Sequence, residues 1–355
     1  MALVAALPPV RALLIDLSGT LHIGKDALPG AVNALQRVRL AGIPVRFCSN
    51  TSKESTSSLI KSLDKMGFEI QSHEVFTSLG AAREIVRRQK LNPFFLISAS
   101  AREEFSEYRR AHNVYDHDAV VIGLAPEELN YENLNIAFRI LTGERPNDTT
   151  ACGKDRVHSP APLIAMHRAS YVRNPDGALS LGPGPFVTAL ETAANIKAQI
   201  LGKPTRQFFE TTLESLTRDG IEKEVWMNAH PGHSDSPSRC IVIIGDDINN
   251  DLGEGAVELN LRRILVRTGK YRKGDEDKGG PADPRPETFD SFAHFVDAFL
   301  GHRVLIVGPI ARIIDLIFQR IHVMQAPRHE DAFDTWISGR HQGLCKLRLL
   351  GSSSD

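Results

Sequence analysis

Short apolar runs alternate with amphipathic stretches along most of the chain. Apolar runs of four or five residues predict buried strands, and apolar residues at helical spacing predict helices. The strands predicted in this way are Arg11–Ile15, Val45–Cys48, Phe94–Ile97, Ala119–Ile122, Leu163–Ala165, Ala198–Leu201, Ile241–Ile244 and Ile264–Val266. The predicted helices are Ala31–Leu40, Lys53–Met66, Glu127–Leu141 and Thr205–Arg218. This alternation favours βαβ units and an α/β fold with a doubly wound parallel sheet.

The middle of the chain, residues 82–181, has strands and a helix of its own. The simplest interpretation is a second α/β domain inserted into the first. The core would then consist of residues 1–81 and 182–300. A single large sheet is the alternative that the pattern leaves open.

Three segments break the pattern. Residues 145–160 and 226–239 are polar, rich in turn-forming residues and without periodicity, so both are predicted to be loop inserts. Residues 301–355 form a C-terminal extension. Its isoleucines between Ile310 and Ile321 lie at helical spacing, which predicts a docked helix or a poorly ordered segment.

Composition narrows the class of protein. Lys and Arg total 42 against 43 Asp and Glu, a formal net charge of −1, which argues against nucleic acid or an anionic membrane as the main partner. No stretch approaches the ~20 apolar residues of a membrane span. The four cysteines lie far apart without a CxxC pair, which favours neither a zinc site nor a disulfide framework. We therefore predict a soluble protein of a reducing, cytoplasmic compartment.

Polar residues follow several of the predicted strands directly. Asp16 ends the first strand, Ser49 the second, and Asp246 comes just after the strand Ile241–Ile244. Ligand crevices of open α/β sheets lie at the carboxyl ends of the strands, so these side chains are expected to meet. Two carboxylates there suit Mg²⁺, and Lys203, after the strand Ala198–Leu201, would supply a charge for phosphate. Each residue alone is as readily explained as a helix cap or a solvated loop residue.

The order of these pieces resembles the four motifs of the haloacid dehalogenase superfamily. The motifs are Asp16-Leu-Ser-Gly-Thr20, Ser49-Asn50, Gly202-Lys203-Pro204 and Gly245-Asp246-Asp247 with Asp251. The resemblance covers about residues 11 to 300 and implies a Rossmann-like core with an inserted α/β cap over residues 82–181. It implies a phosphatase that acts on a small phosphorylated substrate, and it leaves open a homodimer through the cap.

Roles for individual residues follow from the same resemblance. Asp16 would attack phosphorus and form an aspartyl-phosphate. Mg²⁺ would be held by Asp16, Asp246 and the backbone carbonyl of Ser18. Lys203 would neutralise charge on the phosphate and the nucleophile. Phosphate contacts would come from Asp16, Leu17, Ser18, Ser49, Asn50 and Lys203. Asp247 and Asp251 would orient Lys203 or metal-bound water from behind.

Ser18 departs from the superfamily pattern. Most phosphatases of the superfamily carry a second Asp at this position, as general acid and base, and a hydroxyl cannot play that role near neutral pH. A pyrophosphatase of the superfamily resembles this chain in having serine there, so the change does not by itself predict inactivity. The lack of a general acid would slow hydrolysis least for substrates with good leaving groups, such as pyrophosphate or a phosphoramidate. The alternative is a catalytically weak phosphate-binding or scaffold protein that keeps the fold.

Overall fold

The computed structural model describes residues 9–108, 116–144, 161–173, 178–227, 236–278 and 285–306. The chain divides into two compact units, Met1–Phe299 and Leu300–Asp355. Within the described ranges, no helix has both the length and the apolar character needed to cross a membrane. The predicted insert at 145–160 and the isoleucine-rich part of the extension lie outside the described residues.

The strands alternate with helices as the pattern predicts. The strands are β1 (Ala12–Asp16), β2 (His22–Ile23), β3 (Asp26–Ala27), β4 (Val45–Ser49), β5 (Val75–Thr77), β6 (Pro93–Leu96), β7 (Ala119–Ile122), β8 (Leu163–Ala165), β9 (Tyr171–Arg173), β10 (Leu179–Leu181), β11 (Gln199–Ile200), β12 (Ile241–Gly245), β13 (Arg262–Val266) and β14 (Glu287–Phe289). The α-helices are α1 (Ala31–Leu40), α2 (Thr56–Lys65), α3 (Ser78–Gln89), α4 (Ala99–Arg102), α5 (Tyr131–Thr142), α6 (Gly184–Ala194), α7 (Arg206–Ser215), α8 (Glu224–Met227), α9 (Gly255–Glu258) and α10 (Phe292–Ile306).

A six-stranded parallel sheet organises the first part of the fold. Its order is β14-β13-β12-β1-β4-β5, and the paired strands run parallel. Strands β1, β4, β12 and β13 are buried along their whole length, as expected for a parallel sheet covered on both faces. The predicted α/β fold with a parallel sheet is confirmed.

A second parallel sheet has the order β11-β8-β7-β6. Helices α5 and α6 pack on it through a cluster that includes Ile140, Val187 and Leu190. The pattern predicts an inserted segment that ends at residue 181, but α6 and β11 also belong to this layer. The strand predicted at Ala198–Leu201 therefore pairs with β8 instead of joining the six-stranded sheet. Local hydrophobicity shows that a strand is buried, but not against which sheet.

Caps explain why three helices begin later than predicted. Ser55, Asn130 and Thr205 each accept a backbone N–H of the following turn through the side chain, so α2, α5 and α7 start one residue after them. Each predicted helix includes its cap, whose backbone is extended, so the pattern alone overestimates the length. Helix α1 has the predicted bounds.

The predicted insert at 226–239 is only partly described, and its start is not a loop. Trp226 and Met227 end the short helix α8, and Pro237–Cys240 form a 3-10 helix before β12. Trp226 is 2% exposed in the core cluster beside Val225. Burial of this large side chain outweighs the polar, turn-rich composition of the residues that follow.

Candidate active site

A buried lysine is held between two carboxylates at the carboxyl end of the six-stranded sheet. Nζ of Lys203 lies 2.5 Å from Oδ1 of Asp16 and 2.7 Å from Oδ1 of Asp251. The lysine side chain is 1% exposed. Burial opposes its charge, but Asp16 and Asp251 outweigh that cost and raise the pKa of Lys203 above its ordinary value. The ammonium is therefore permanently charged.

The neighbouring carboxylates carry more negative charge than this lysine balances. Asp16, Asp246 and Asp251 each offer an oxygen within 4.8 Å of the others. Burial and the charge of Asp251 raise the pKa of Asp16 to about 6, although Lys203 opposes the shift. Burial, Asp251 and Asp16 raise the pKa of Asp246 well above its usual range. Among the described residues, the buried Oδ1 of Asp246 has no hydrogen-bond partner. This donor set fits a divalent cation that prefers oxygen ligands.

Strand order explains how the acids meet. Asp16 is the last residue of β1, and Asp246 follows β12, which pairs with β1 in parallel. The turn after β12 brings Asp251 back toward the strand end. A Cβ on Gly245 would lie 2.4 Å from Cβ of Asp251, so this approach requires glycine. The structure thus brings Asp16 and Asp246 together at the strand ends, with Asp251 beside them.

Lys203 reaches the same point from the second sheet, by a connection that the sequence analysis did not foresee. The side-chain amide of Asn50 donates to the carbonyl of Lys203 and accepts its N–H, both at 2.8 Å. A Cβ on Gly202 would lie 2.3 Å from Oδ1 of Asn50, so the glycine permits the contact. The amide of Asn50 thus fixes the backbone of the lysine.

These contacts bear on two of the predicted roles, those of Asn50 and Asp247. The side-chain amide of Asn50 binds the backbone of Lys203, so the main chain of Asn50 is the part that we expect to contact phosphate. The carboxylate of Asp247 accepts N–H bonds from Asn249 and Asn250 and lies 3.5 Å from Nζ of Lys270. Asp247 therefore faces Lys270, whereas Asp251 alone of the two orients Lys203. Burial opposes the charge of Asp247, but Lys270 and the bonds from Asn250 hold its pKa below the ordinary value.

The turn after β1 contains the remaining predicted residues. The side chain of Leu17 is 1% exposed, so it packs in the core and only its backbone could meet a ligand. Its carbonyl accepts the N–H of Leu21 at 2.9 Å. Ser18 is exposed. In the neighbouring loop, Oγ of Ser49 is buried and accepts the N–H of Thr51 at 3.1 Å.

Three residues near the site were missed. Thr20 is fully buried, and its hydroxyl donates to Oδ2 of Asp16 at 3.2 Å. Lys270 follows β13, so the rule of polar residues after strands would have found it. His167 follows β8 of the second sheet, and its position could not be inferred before the two sheets were placed together.

His167 forms a buried polar contact between the second sheet and the loop after β4. Its Nε2 lies 3.2 Å from Oγ of Ser52, and its Nδ1 accepts the N–H of Ala169 at 3.3 Å. Oγ of Ser52 also accepts the N–H of Leu124 at 2.9 Å. Burial, together with the charges of Lys270 and Lys203, lowers the pKa of His167 to about 4. The imidazole is therefore neutral and donates from Nε2.

Two family models match the chain. A haloacid dehalogenase-like hydrolase model covers residues 13–110, and a second model, described as HAD-hydrolase-like, covers residues 200–295. Haloacid dehalogenase-like hydrolase domain-containing protein 2 of Bos taurus is 44% identical over 293 residues, 82% of this chain and 97% of the relative. Phospholysine phosphohistidine inorganic pyrophosphate phosphatase of Homo sapiens is 34% identical over 297 residues, 82% of this chain and 95% of that protein.

Solved structures share the fold. A 4-nitrophenylphosphatase of Thermotoga maritima superposes with a TM-score of 0.64 at 20% identity, covering 82% of this chain and 97% of that one. A glycerol phosphate phosphatase of Mycobacterium tuberculosis in complex with magnesium gives a TM-score of 0.61 at 22% identity, covering 80% of this chain and 77% of that one.

Proposed function

This chain belongs to the haloacid dehalogenase-like hydrolases, and on that basis we propose that it is a Mg²⁺-dependent phosphatase with Asp16 as nucleophile. The observation that carries the proposal is the buried contact of Lys203 with Asp16 and Asp251, beside Oδ1 of Asp246, which has no hydrogen-bond partner in the part of the chain that the structure describes. A carboxylate that is held by a permanent cation and faces further acids is suited to phosphoryl transfer, which depends mainly on positioning and charge.

The oxygen of Asp16 that attacks phosphorus would form an aspartyl-phosphate, which water then hydrolyses. Lys203 would hold the nucleophile and stabilise charge on the phosphoryl oxygens. Asp251 would keep the lysine in place, and Thr20 would orient the second carboxylate oxygen of Asp16. Phosphate would also contact Ser49 and the main chain of Leu17 and Asn50.

Asp16, Asp246 and the backbone carbonyl of Ser18 would hold Mg²⁺. The site contains four carboxylates and two lysines, so two negative charges are left for a divalent cation to balance. The carboxylates are those of Asp16, Asp246, Asp247 and Asp251, and the lysines are Lys203 and Lys270. When bound, the cation would supply electrostatic stabilisation of the phosphoryl group. The magnesium in the glycerol phosphate phosphatase of similar fold supports the choice of metal.

The second sheet and its helices would form the cap over this site. Support comes from the Asn50–Lys203 and Ser52–His167 contacts, which join the two sheets beside the acids. The substrate would be a small molecule with a good leaving group, because Ser18 offers no general acid. The name of the 34% identical relative, a phosphatase of phospholysine, phosphohistidine and pyrophosphate, agrees with this class.

The test is Mg²⁺-dependent phosphate release by the full chain from pyrophosphate, phosphohistidine, phospholysine and 4-nitrophenyl phosphate. We expect Asp16→Asn and Lys203→Met to lose at least ~10³-fold, as for removal of a nucleophile or a principal charge. Acid-quenched digestion and mass spectrometry should detect a phosphorylated Asp16 peptide. Asp64→Asn, on the exposed side of α2, is the matched control and should retain full activity.

Unchanged release by Asp16→Asn would overturn the proposed mechanism. No release from any substrate, with phosphate binding retained, would instead favour the scaffold alternative. No contact among the described residues favours that alternative over catalysis.

A further inference from the structure

A second lysine lies at the site without a role in the proposed mechanism. Lys270 belongs to the loop after β13, and its N–H donates to Oδ2 of Asp246 at 2.6 Å. The preceding Thr268 donates from its hydroxyl to the carbonyl of Gly19 at 2.5 Å. A Cβ on Gly269 would lie 2.6 Å from Cα of Gly19. The loop is therefore packed directly against the turn that contains Ser18.

The ammonium of Lys270 is held much more loosely than that of Lys203. Its Nζ is 3.5 Å from Oδ2 of Asp247, and its side chain is 40% exposed, against 1% for Lys203. The carboxylate of Asp247 already accepts N–H bonds from Asn249 and Asn250. The charge of Lys203 is balanced by two carboxylates, whereas the ammonium of Lys270 has one contact, at 3.5 Å, among the residues that the structure describes. Lys270 is thus the lysine of this pair that can move to a ligand.

Lys270 also lies near enough to the second sheet for its charge to act there. Its charge lowers the pKa of His167, which follows β8, as well as that of Asp16 at the end of β1. Two residues further on, the guanidinium of Arg272 lies 5.7 Å from the ring centroid of Tyr171 in β9. The loop therefore passes from the acids to strand β9, which pairs with β10 outside the two larger sheets, and the part of a substrate beyond the transferred phosphoryl group would lie on this side of the acids.

We propose that Lys270 binds the leaving group and thereby selects substrates whose leaving group already carries anionic oxygens before the bond breaks, such as the second phosphate of a phosphoanhydride. This inference rests on the proposed function. As the Asp16 oxygen bonds to phosphorus, the bridging P–O bond breaks and its electron pair stays on the departing phosphate. Lys270 stabilises this charge by a charge-assisted hydrogen bond. Water then hydrolyses the aspartyl-phosphate, so one pyrophosphate and one water give two phosphates.

The test compares Lys270→Met with wild type on two substrates in the presence of Mg²⁺. With pyrophosphate, whose leaving group concentrates its charge on phosphate oxygens, kcat/KM should fall about 10- to 100-fold, as expected for one lost charged hydrogen bond. With 4-nitrophenyl phosphate, whose leaving charge is spread over the aromatic ring, it should fall by less than about 3-fold, because that group has no phosphate oxygen for the lysine. Lys270→Arg should recover part of the pyrophosphate activity. Lys273→Met, an exposed lysine of the same loop, is the matched control and should behave as wild type.

A binding measurement keeps the inference separate from turnover. Calorimetry with imidodiphosphate, a non-hydrolysable pyrophosphate analogue, should show weaker binding to Lys270→Met by about 10- to 100-fold, with orthophosphate binding unchanged. Equal loss on both substrates and both ligands, or no loss on either, would overturn the inference. Wild-type protein that releases phosphate from neither substrate, nor from phosphohistidine or phospholysine, would refute the proposed function, while calorimetry would still decide whether Lys270 binds the second phosphate.

Discussion

Ser18 stands at the exposed end of the turn after Asp16, so a longer side chain has room there. A hydroxyl cannot protonate a leaving alkoxide, and general acid help is worth ~10²–10⁴ in rate. We predict that Ser18→Asp speeds Mg²⁺-dependent hydrolysis of an alkyl phosphate such as glycerol phosphate by at least ~10-fold. Hydrolysis of pyrophosphate should change much less, because its leaving group needs little protonation.

Ser18→Asn is the control for this prediction, since asparagine has the size of aspartate but no proton to give. Steady-state phosphate release by the two variants provides the comparison. Equal rates on glycerol phosphate would show that the serine is not what limits turnover.

His167 is a neutral histidine in a buried, hydrogen-bonded position, and this makes stability depend on pH. Its pKa is about 4 in the folded protein and 6.5 in the unfolded chain. Below pH 6.5 the unfolded chain binds a proton that the folded protein does not, so stability is complete above 6.5 and falls as the pH drops toward 4. Between pH 7 and pH 5 the histidine should remove about 2 kcal/mol of unfolding free energy. We predict that His167→Gln reduces the pH dependence by that amount.

Urea unfolding at the two pH values measures this difference. His294→Gln, which removes an exposed histidine of α10, should keep the wild-type slope. If His167→Gln and the wild-type protein lose the same free energy, the buried histidine is not the titrating group.

The loop after β13 depends on Gly269 for its close approach to the acids. The residue has φ +55°, and a Cβ would lie 2.0 Å from Oδ2 of Asp246. We predict that Gly269→Ala displaces the loop, removes the bond from the N–H of Lys270 to Asp246 and weakens Mg²⁺ binding by at least ~10-fold, the cost of misplacing one ligand. Isothermal titration with Mg²⁺ measures the affinity.

Gly274→Ala is the matched control in the same loop. Gly274 also has a left-handed backbone, with φ +97°, but a Cβ there would meet nothing within 4 Å. Both variants place alanine in a strained left-handed backbone conformation, but only Gly269→Ala also creates a steric clash. Equal Mg²⁺ affinities for the two variants would contradict a role for Gly269 in positioning Asp246.

At the level of elements, the sequence predicted where Asp16 and Asp246 would lie because both follow buried strands of one parallel sheet. It failed for the strand before Lys203, which pairs in the second sheet. The lysine still reaches Asp16, because the amide of Asn50 binds its backbone across the two sheets. Such a contact depends on tertiary packing, which leaves no periodic signal in either segment.

At the level of the whole molecule, the net charge is near zero although the candidate site has a local excess of negative charge. Substrate and metal would be bound by a few buried groups. The total charge could therefore argue against nucleic acid or an anionic membrane as a partner, but it could not locate the site. The alternation of strands and helices predicted the fold class, since burial on both sheet faces dictates apolar runs. It could not place Lys270 or His167, whose importance arises only where the two sheets meet.

If the buried carboxylates hold Mg²⁺ as proposed, they also link the stability of the whole molecule to the cation. Asp246 is 1% exposed beside Asp16 and Asp251, so in the absence of a cation its charge destabilises the folded protein. We predict that Asp246→Asn unfolds at higher urea than the wild-type protein in EDTA. With Mg²⁺ at 100 times its Kd, the wild-type protein should gain about 2.7 kcal/mol and the variant almost nothing. Asp64→Asn, an exposed acid, should respond to Mg²⁺ as the wild-type protein does. If Asp246→Asn were less stable in EDTA yet gained as much from Mg²⁺, Asp246 would be a structural residue and the metal would lie elsewhere.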